Sequence, residues 1–105
     1  MTNKRFVLST TASLEEAKKI AREVVGRRLA ACVNILPRIE SIYRWEGKVE
    51  EAQECLLLIK TTAEGFPSLR DVIQQLHSYE VPECVALSVE DGSQAYLKWI
   101  DECVG

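Results

Sequence analysis

The feature that most constrains the fold is one long hairpin over residues 31–62, which we predict to turn at Glu46-Gly47-Lys48. Its first arm, residues 31–45, would extend ~50 Å at the usual rise of a strand. A domain of this length has a radius of gyration of only ~13 Å. The arms are therefore too long to lie over one subunit. Either they break in the middle or their tips reach a second copy, so self-assembly is the first prediction.

Length and composition bound the function classes. The chain of 105 residues is one domain, 1–105, with 47% hydrophobic and 28% charged residues, as is ordinary for a globular protein. Its net charge of −3 comes from intermixed signs, without the basic block that a nucleic-acid partner requires. No apolar run approaches the ~20 residues of a membrane span. The N-terminus leads into a strand-like run rather than a signal peptide, so we expect a cytoplasmic protein with no membrane partner.

Four cysteines lie far apart, with no CxxC pair: Cys32, Cys55, Cys84 and Cys103. The favoured interpretation is reduced, buried thiols that act as small hydrophobic side chains. A metal or redox cluster built from them is the alternative.

The first elements follow from β-formers and a helix start signal. Residues 5–11 are predicted to form a strand. Ser13 and Glu16 form a predicted capping box, in which Ser13 caps the next helix and Glu16 reaches back. In the hairpin that follows, Pro37 cannot donate to a ladder and therefore marks an edge position or a bulge. The second arm changes from polar (49–54) to apolar (55–59).

The remaining pattern predicts a helix over residues 65–77, a strand over 83–89 and a last helix capped by Ser93. The order strand, helix, strand, strand, helix, strand is that of an α+β, ferredoxin-like βαββαβ domain with an extra C-terminal helix. We expect a four-stranded antiparallel sheet with both main helices on one face. Because residues 6–8 and 56–58 are apolar on both faces, another subunit must cover the second face.

Enzyme signatures are sparse. The five glycines are isolated, so there is no phosphate-binding loop, and the motifs of zinc proteases and serine hydrolases are missing. A Cys/His dyad would have to use His77, the single histidine. None of the four cysteines has a spacing from His77 that indicates such a pair. We therefore predict no catalytic residues and no enzymatic activity.

His77 ends the predicted second helix, and two interpretations of it stay open. A histidine at a helix C-terminus suits the dipole and can bond the last carbonyls. Alternatively, its imidazole could bind copper or zinc. A metal site would need further ligands, such as Glu80, Glu83, a thiol or symmetry copies of His77.

The hairpin tip carries Tyr43, Arg44 and Trp45. On a lone monomer this would be an exposed apolar patch, so packing against a neighbouring subunit is one interpretation, and these residue types are typical interface anchors. The other is that Tyr43 and Trp45 wall a cleft between subunits, with Lys60 and Glu83 as its polar contacts.

Five segments, in order, resemble the CutA divalent-cation-tolerance family over nearly the whole chain. They are residues 28–35 (RLAACVNI), 41–48 (SIYRWEGK), 57–62 (LLIKTT), 77–83 (HSYEVPE) and 96–99 (YLKW). The resemblance implies a ferredoxin-like subunit and a homotrimer related to the PII signal-protein assemblies. It also implies a cytoplasmic protein linked to tolerance of copper and other divalent cations, without established enzymatic activity.

The family has a cleft between subunits. When its residues are matched by position to this chain, the resemblance implies that the ligand-binding residues are Asn34, Tyr43, Trp45, Lys60, Tyr79 and Glu83. His77 falls where the family usually has a histidine. Some bacterial members have a cysteine and a second histidine where this chain has Ser9 and Leu76, and thiolate is what selects Cu(I) most strongly. We therefore expect weaker binding of Cu(II) or another divalent cation, through His77 and Glu83, and no organic cofactor.

Two functional hypotheses follow. The first is a trimeric protein that binds or responds to divalent cations near His77 and Glu83. The second is a PII-like module whose inter-subunit cleft holds a small anionic or polar metabolite. A purely scaffolding role is a third.

Overall fold

The chain folds in the order strand, helix, strand, strand, helix, strand, helix, and the computed structural model describes all 105 residues. The strands form one antiparallel sheet of order β2-β3-β1-β4, which confirms the predicted ferredoxin-like class. None of the three helices combines the length and the apolar composition needed to cross a bilayer. The elements are β1 (Lys4–Thr11), α1 (Leu14–Gly26), β2 (Cys32–Trp45), β3 (Lys48–Thr62), α2 (Phe66–Leu76), β4 (Val85–Ser88) and α3 (Gln94–Cys103).

The core lies between one face of the sheet and helices α1 and α2. Val7 of β1 pairs with Ile59 of β3, and both are fully buried, as is Leu57. Ile20 of α1 and Ile73 of α2 complete the same cluster. Burying each of these side chains stabilises the fold by about 1.5–3 kcal/mol relative to an exposed one.

The opposite face of the sheet is apolar as well, as the two-sided strands predicted. Phe6, Leu8, Leu56 and Leu58 are only half-buried there. Helix α3 covers one end of this face through the buried side chain of Ile100 and an ion pair of 2.9 Å between Lys4 Nζ and Asp101 Oδ2. The exposed part of the face includes Leu36 and Leu87, which are 44% and 47% exposed.

The hairpin of β2 and β3 is interrupted by a β-bulge and extends beyond the rest of the subunit. Its register shifts between Leu36 and Ile39, which confirms the bulge at Pro37, and Arg38 takes a left-handed φ of 59°. At the tip, Glu46 and Gly47 have φ of 50° and 79°, the signs of a type I′ turn, which matches the right-handed twist of the arms. The molecule measures 44 × 25 × 22 Å, and the hairpin accounts for its elongated shape.

Three details differ from the sequence-based prediction. Ser13 caps α1 by accepting the Glu16 N–H at 3.1 Å, but the Glu16 carboxylate accepts hydrogen bonds from Ser78, and the backbone N–H that it reaches before the helix is that of Ala12 rather than Ser13. The last strand is only Val85–Ser88, because it pairs with just four residues of β1. Helix α2 ends at Leu76, so His77 is its C-cap.

Leu57→Ala should lower the free energy of unfolding by about 2–5 kcal/mol, because it opens a cavity beneath both main helices. Urea denaturation at one fixed protein concentration measures this. Val25→Ala, on the solvent side of α1, is the control and should change stability by about 0.5 kcal/mol or less. Equal effects of the two substitutions would contradict the assigned core.

Candidate functional site

A cavity of about 650 Å³ lies between the outer half of the hairpin and the connector that follows α2. Three aromatic side chains line it: Tyr43 and Trp45 of β2, and Tyr79 of the connector. The two β2 rings are two residues apart, and alternation along a strand places such side chains on one face. With Glu83, which also lines the cavity, the structure brings together four of the six predicted cleft residues.

The cavity is acidic. Four carboxylates line it, and no Lys, Arg or His side chain does. Glu40 and Glu54 come from the two arms of the hairpin, whereas Glu80 and Glu83 come from the connector. We refer to this cavity, with its three rings and four carboxylates, as the acidic pocket. Its charge favours cations over anions.

One hydrogen bond joins the connector to the hairpin. The Tyr79 hydroxyl donates to Glu54 Oε2 at 2.6 Å, and Glu54 is only 8% exposed. Burial of the phenol, followed by its hydrogen bond to the Glu54 carboxylate, raises the pKa of Tyr79 above that of a free phenol. The Tyr79 hydroxyl therefore stays protonated, and remains a hydrogen-bond donor to Glu54, throughout the physiological range.

His77 lies behind Tyr79, and both of its ring nitrogens have partners. Tyr79 N–H donates to Nδ1 at 3.0 Å, so Nδ1 carries no proton, and Nε2–H then donates to the Thr10 carbonyl at 2.7 Å. The imidazole side chain is fully buried. The structure gives His77 a positioning role, since it anchors the connector to β1.

Glu16 holds the next residue of the connector. Its carboxylate accepts hydrogen bonds from Ser78 N–H at 2.8 Å and from Ser78 Oγ at 3.0 Å, and Glu16 Oε2 lies 3.6 Å from His77 Nδ1. Burial raises the pKa of Glu16, but the hydrogen bonds from Ser78 and from the Ala12 backbone outweigh it and leave this pKa below its ordinary value. Helix α1 therefore fixes the connector from a second side.

Asn34 and Lys60, the other two predicted cleft residues, lie elsewhere in the subunit. Lys60 Nζ donates to Asn34 Oδ1 at 2.5 Å and to the Tyr96 hydroxyl at 3.4 Å, and it sits 5.4 Å from the centroid of the Phe6 ring. Lys60 lies six positions after Glu54 in β3, which corresponds to ~20 Å along a strand. Within one chain, the predicted cleft set thus divides into two groups.

The predicted metal pair is divided too, because Glu83 lines the acidic pocket whereas His77 does not. No group of three or more His, Cys, Asp or Glu side chains stands close enough to hold a metal ion. His77 could become a ligand only by giving up one of its two hydrogen bonds. Binding of Cu(II) by His77 and Glu83 stays a prediction.

Sequence reasoning missed Glu54 and Glu16. Glu54 belongs to the polar half of the second hairpin arm and resembles its solvated neighbours, although it is buried. Its position shortly before the apolar run of residues 55–59 was the available signal, because a carboxylate at the edge of a core needs a donor. The capping box already explained the presence of Glu16 beside Ser13. Nothing in the sequence therefore indicated its distant hydrogen-bond partner, Ser78.

Comparison with known proteins gives one consistent result. The family model described as CutA1 divalent ion tolerance protein matches residues 5–103. The chain is 52% identical over 99 residues to the divalent-cation tolerance protein CutA of Thermus thermophilus, covering 94% of this chain and 96% of that protein. It is 54% identical over 84 residues to protein CutA of Homo sapiens, covering 80% of this chain and 47% of that protein.

A solved structure agrees with the sequence comparison. The structure described as the periplasmic divalent cation tolerance protein CutA from Archaeoglobus fulgidus superposes with a TM-score of 0.94 at 44% identity. The match covers 97% of this chain and 99% of that one. Such coverage leaves no element of the fold without a counterpart.

The raised pKa of Tyr79 should appear in the alkaline titration of the three tyrosines. Tyrosinate absorbance should contain a component that ionises well above 10.0, and Tyr79→Phe should remove it. Because the folded state holds this proton more tightly, the pair's stabilisation is present below the unfolded pKa and is lost as the pH rises above it. Glu54→Gln should move the component to lower pH. An unchanged late component in Tyr79→Phe would contradict the assignment.

Proposed function

Because this chain belongs to the CutA1 divalent ion tolerance family, we propose that it serves divalent-cation tolerance by binding cations, without catalysis, at the acidic pocket. The observation that carries the proposal is the charge of that pocket: one subunit contributes four carboxylates and no cationic side chain. A concave surface lined with one sign of charge raises the local concentration of counter-ions.

The donor set defines which cations fit. Carboxylate oxygens suit hard cations such as Mg²⁺, Ca²⁺ and Mn²⁺, and they also accept Cu²⁺ when a nitrogen ligand is added. Glu83 and Glu54 are the proposed contacts, and His77 would supply nitrogen only after releasing Tyr79 N–H or the Thr10 carbonyl. Because one chain offers no group of three close donors, a bound cation keeps part of its water or takes donors from a second subunit.

The proposed assembly is a homotrimer. One sheet face carries apolar side chains that α3 leaves partly uncovered, and the hairpin projects beyond the rest of the subunit. Exposed apolar patches of this kind mark protein interfaces. In the proposed trimer, neighbouring subunits cover this face, and the two groups of predicted cleft residues come from adjacent subunits.

A cytoplasmic location is also part of the proposal. All four cysteines are free thiols, which suits a reducing compartment. The Archaeoglobus fulgidus relative is described as periplasmic, so detection of this protein in fractionated cells is the direct test.

Glu83→Gln should weaken the binding of Mn²⁺ and Cu²⁺ by roughly tenfold or more, as expected when a direct carboxylate contact is lost. Isothermal titration of the purified protein measures the affinity. The matched control is Glu51→Gln, which removes the same charge from an exposed site of β3 outside the pocket. Equal affinities in the two variants would place cation binding elsewhere.

His77→Gln separates the two metal assignments, because its amide can keep a hydrogen bond of the connector while the imidazole is removed. If carboxylates alone hold the cation, this variant should retain Mn²⁺ affinity within a few-fold, and nitrogen-seeking Cu²⁺ should show no selective loss. A loss confined to Cu²⁺ would instead establish the pair His77 and Glu83 as the copper ligands.

Sedimentation equilibrium should give a mass near three times 11.8 kDa for the wild-type protein. Leu87→Glu should reduce that mass, because it places a charge on the uncovered apolar face, and circular dichroism should show the chain still folded. Leu14→Glu, on the exposed side of α1, should leave the mass unchanged. A wild-type mass of one or two chains would contradict the trimer.

A further inference from the structure

We propose that Asp91-Gly92, in the loop between β4 and α3, is a site of spontaneous covalent modification. Asp91 isomerises there to isoaspartate through a succinimide ring. The product carries the group that isoaspartyl-specific carboxyl methyltransferases recognise. Neither residue lines the acidic pocket, so the inference is independent of cation binding.

The sequence distinguishes this dipeptide from every other candidate. Succinimide formation requires the backbone nitrogen of the next residue to reach the side-chain carbonyl carbon of the aspartate. A side chain on that next residue hinders the approach, whereas glycine has no Cβ and the widest conformational freedom. The chain has three aspartates and two asparagines, and only Asp91 precedes a glycine.

The fold separates Asp91 from the other aspartates as well. Asp91 and Gly92 are exposed and lie outside helices and strands. Asp71 and Asp101 lie within α2 and α3, where the helical backbone fixes the nitrogen that would have to attack. Ring closure at Asp91 therefore disrupts no regular structure.

One hydrogen bond brings the two reacting groups together. The Gly92 N–H donates to Asp91 Oδ1 at 2.8 Å, which holds the attacking nitrogen against the carboxyl group that contains its target carbon, Cγ. The Gly92 N–H donates to no backbone carbonyl. The Asp91 carboxylate forms no ion pair. No other contact therefore competes with the reaction.

The reaction balances with water alone. A bond forms between the Gly92 nitrogen and Asp91 Cγ, while the amide proton and the carboxyl hydroxyl leave together as one water molecule. Water then adds to one of the two ring carbonyl carbons. Opening at Cγ restores aspartate. Opening at the backbone carbonyl carbon of Asp91 gives isoaspartate, in which the main chain runs through the former side chain.

The modification changes the chain directly before a helix N-cap. Isoaspartate lengthens the main chain by one methylene group between residue 91 and Gly92, and Ser93 is the next residue. Ser93 Oγ accepts the Tyr96 N–H at 3.3 Å, and the Ser93 carbonyl accepts the Leu97 N–H at 3.0 Å. Isomerisation therefore acts on the entry of the chain into the first turn of α3.

The test is prolonged incubation of the full-length protein at physiological temperature, followed by peptide mapping. We expect a minor species that has lost the mass of one water molecule, and a growing isoaspartyl fraction in the peptide that contains Asp91. A purified isoaspartyl methyltransferase with labelled methyl donor should mark the same peptide. Peptides that contain Asp71 or Asp101 are the internal controls and should stay unmarked.

Two variants test the assignment of the site. Gly92 does not have a left-handed φ, and an ideal Cβ on it would meet Leu97 Cδ2 at 3.4 Å, so Gly92→Ala should fold normally. This variant should accumulate isoaspartate at least severalfold more slowly, because the added Cβ hinders ring closure. Asp91→Asn should react severalfold faster, because ammonia leaves an amide more readily than hydroxide leaves a carboxylate. Absence of isoaspartate at residue 91 in the wild type, or an equal rate in Gly92→Ala, would overturn the proposal.

Discussion

The pairing of β1 with β3 in the middle of the sheet is the constraint on which the rest of the structure depends. β1 has eight residues and β3 has fifteen, and their pairing ends where Thr11 meets Cys55. Beyond that point the two arms of the hairpin continue with no third strand beside them. The connector after α2 fills part of this space, and the acidic pocket is the part left open. A mismatch in strand length therefore creates the site.

The connector is held by contacts to three different elements. His77 bonds the backbone of β1 through Thr10, Ser78 bonds Glu16 of α1, and Tyr79 bonds Glu54 of β3. Because these partners are fixed by secondary structure, the connector is positioned without regular structure of its own. This explains how a pocket with one wall in a loop can have a defined geometry, and why buried His77 matters to a site that it does not line.

The order of elements and the bulge were predictable because they depend on local chemistry. Hydrophobic period and capping residues located the helices, and the missing N–H of Pro37 located the irregularity in β2. The contacts of the site were not predictable in this way. Glu54 and Tyr79 are related by no period, and the partner of Glu16 lies across the fold. Asn34 and Lys60, expected beside the aromatic residues, lie at the inner end of the hairpin, because the distance along an extended strand exceeds the size of one pocket.

The order of strands in the sheet also determines which strands pair first during folding. Trp45 and Lys48 pair across a two-residue turn, and each further pair of the hairpin closes little additional chain, whereas Arg5 meets Ser88 only after most of the chain is in place. Because closing longer loops costs more entropy and local contacts form faster, we expect the hairpin to assemble before β1 and β4 join it. In a chain emerging from the ribosome, the hairpin would thus precede residues 79–83. The pocket is complete only when Tyr79 has reached Glu54, so its formation reports the folding of the whole subunit rather than of the hairpin alone.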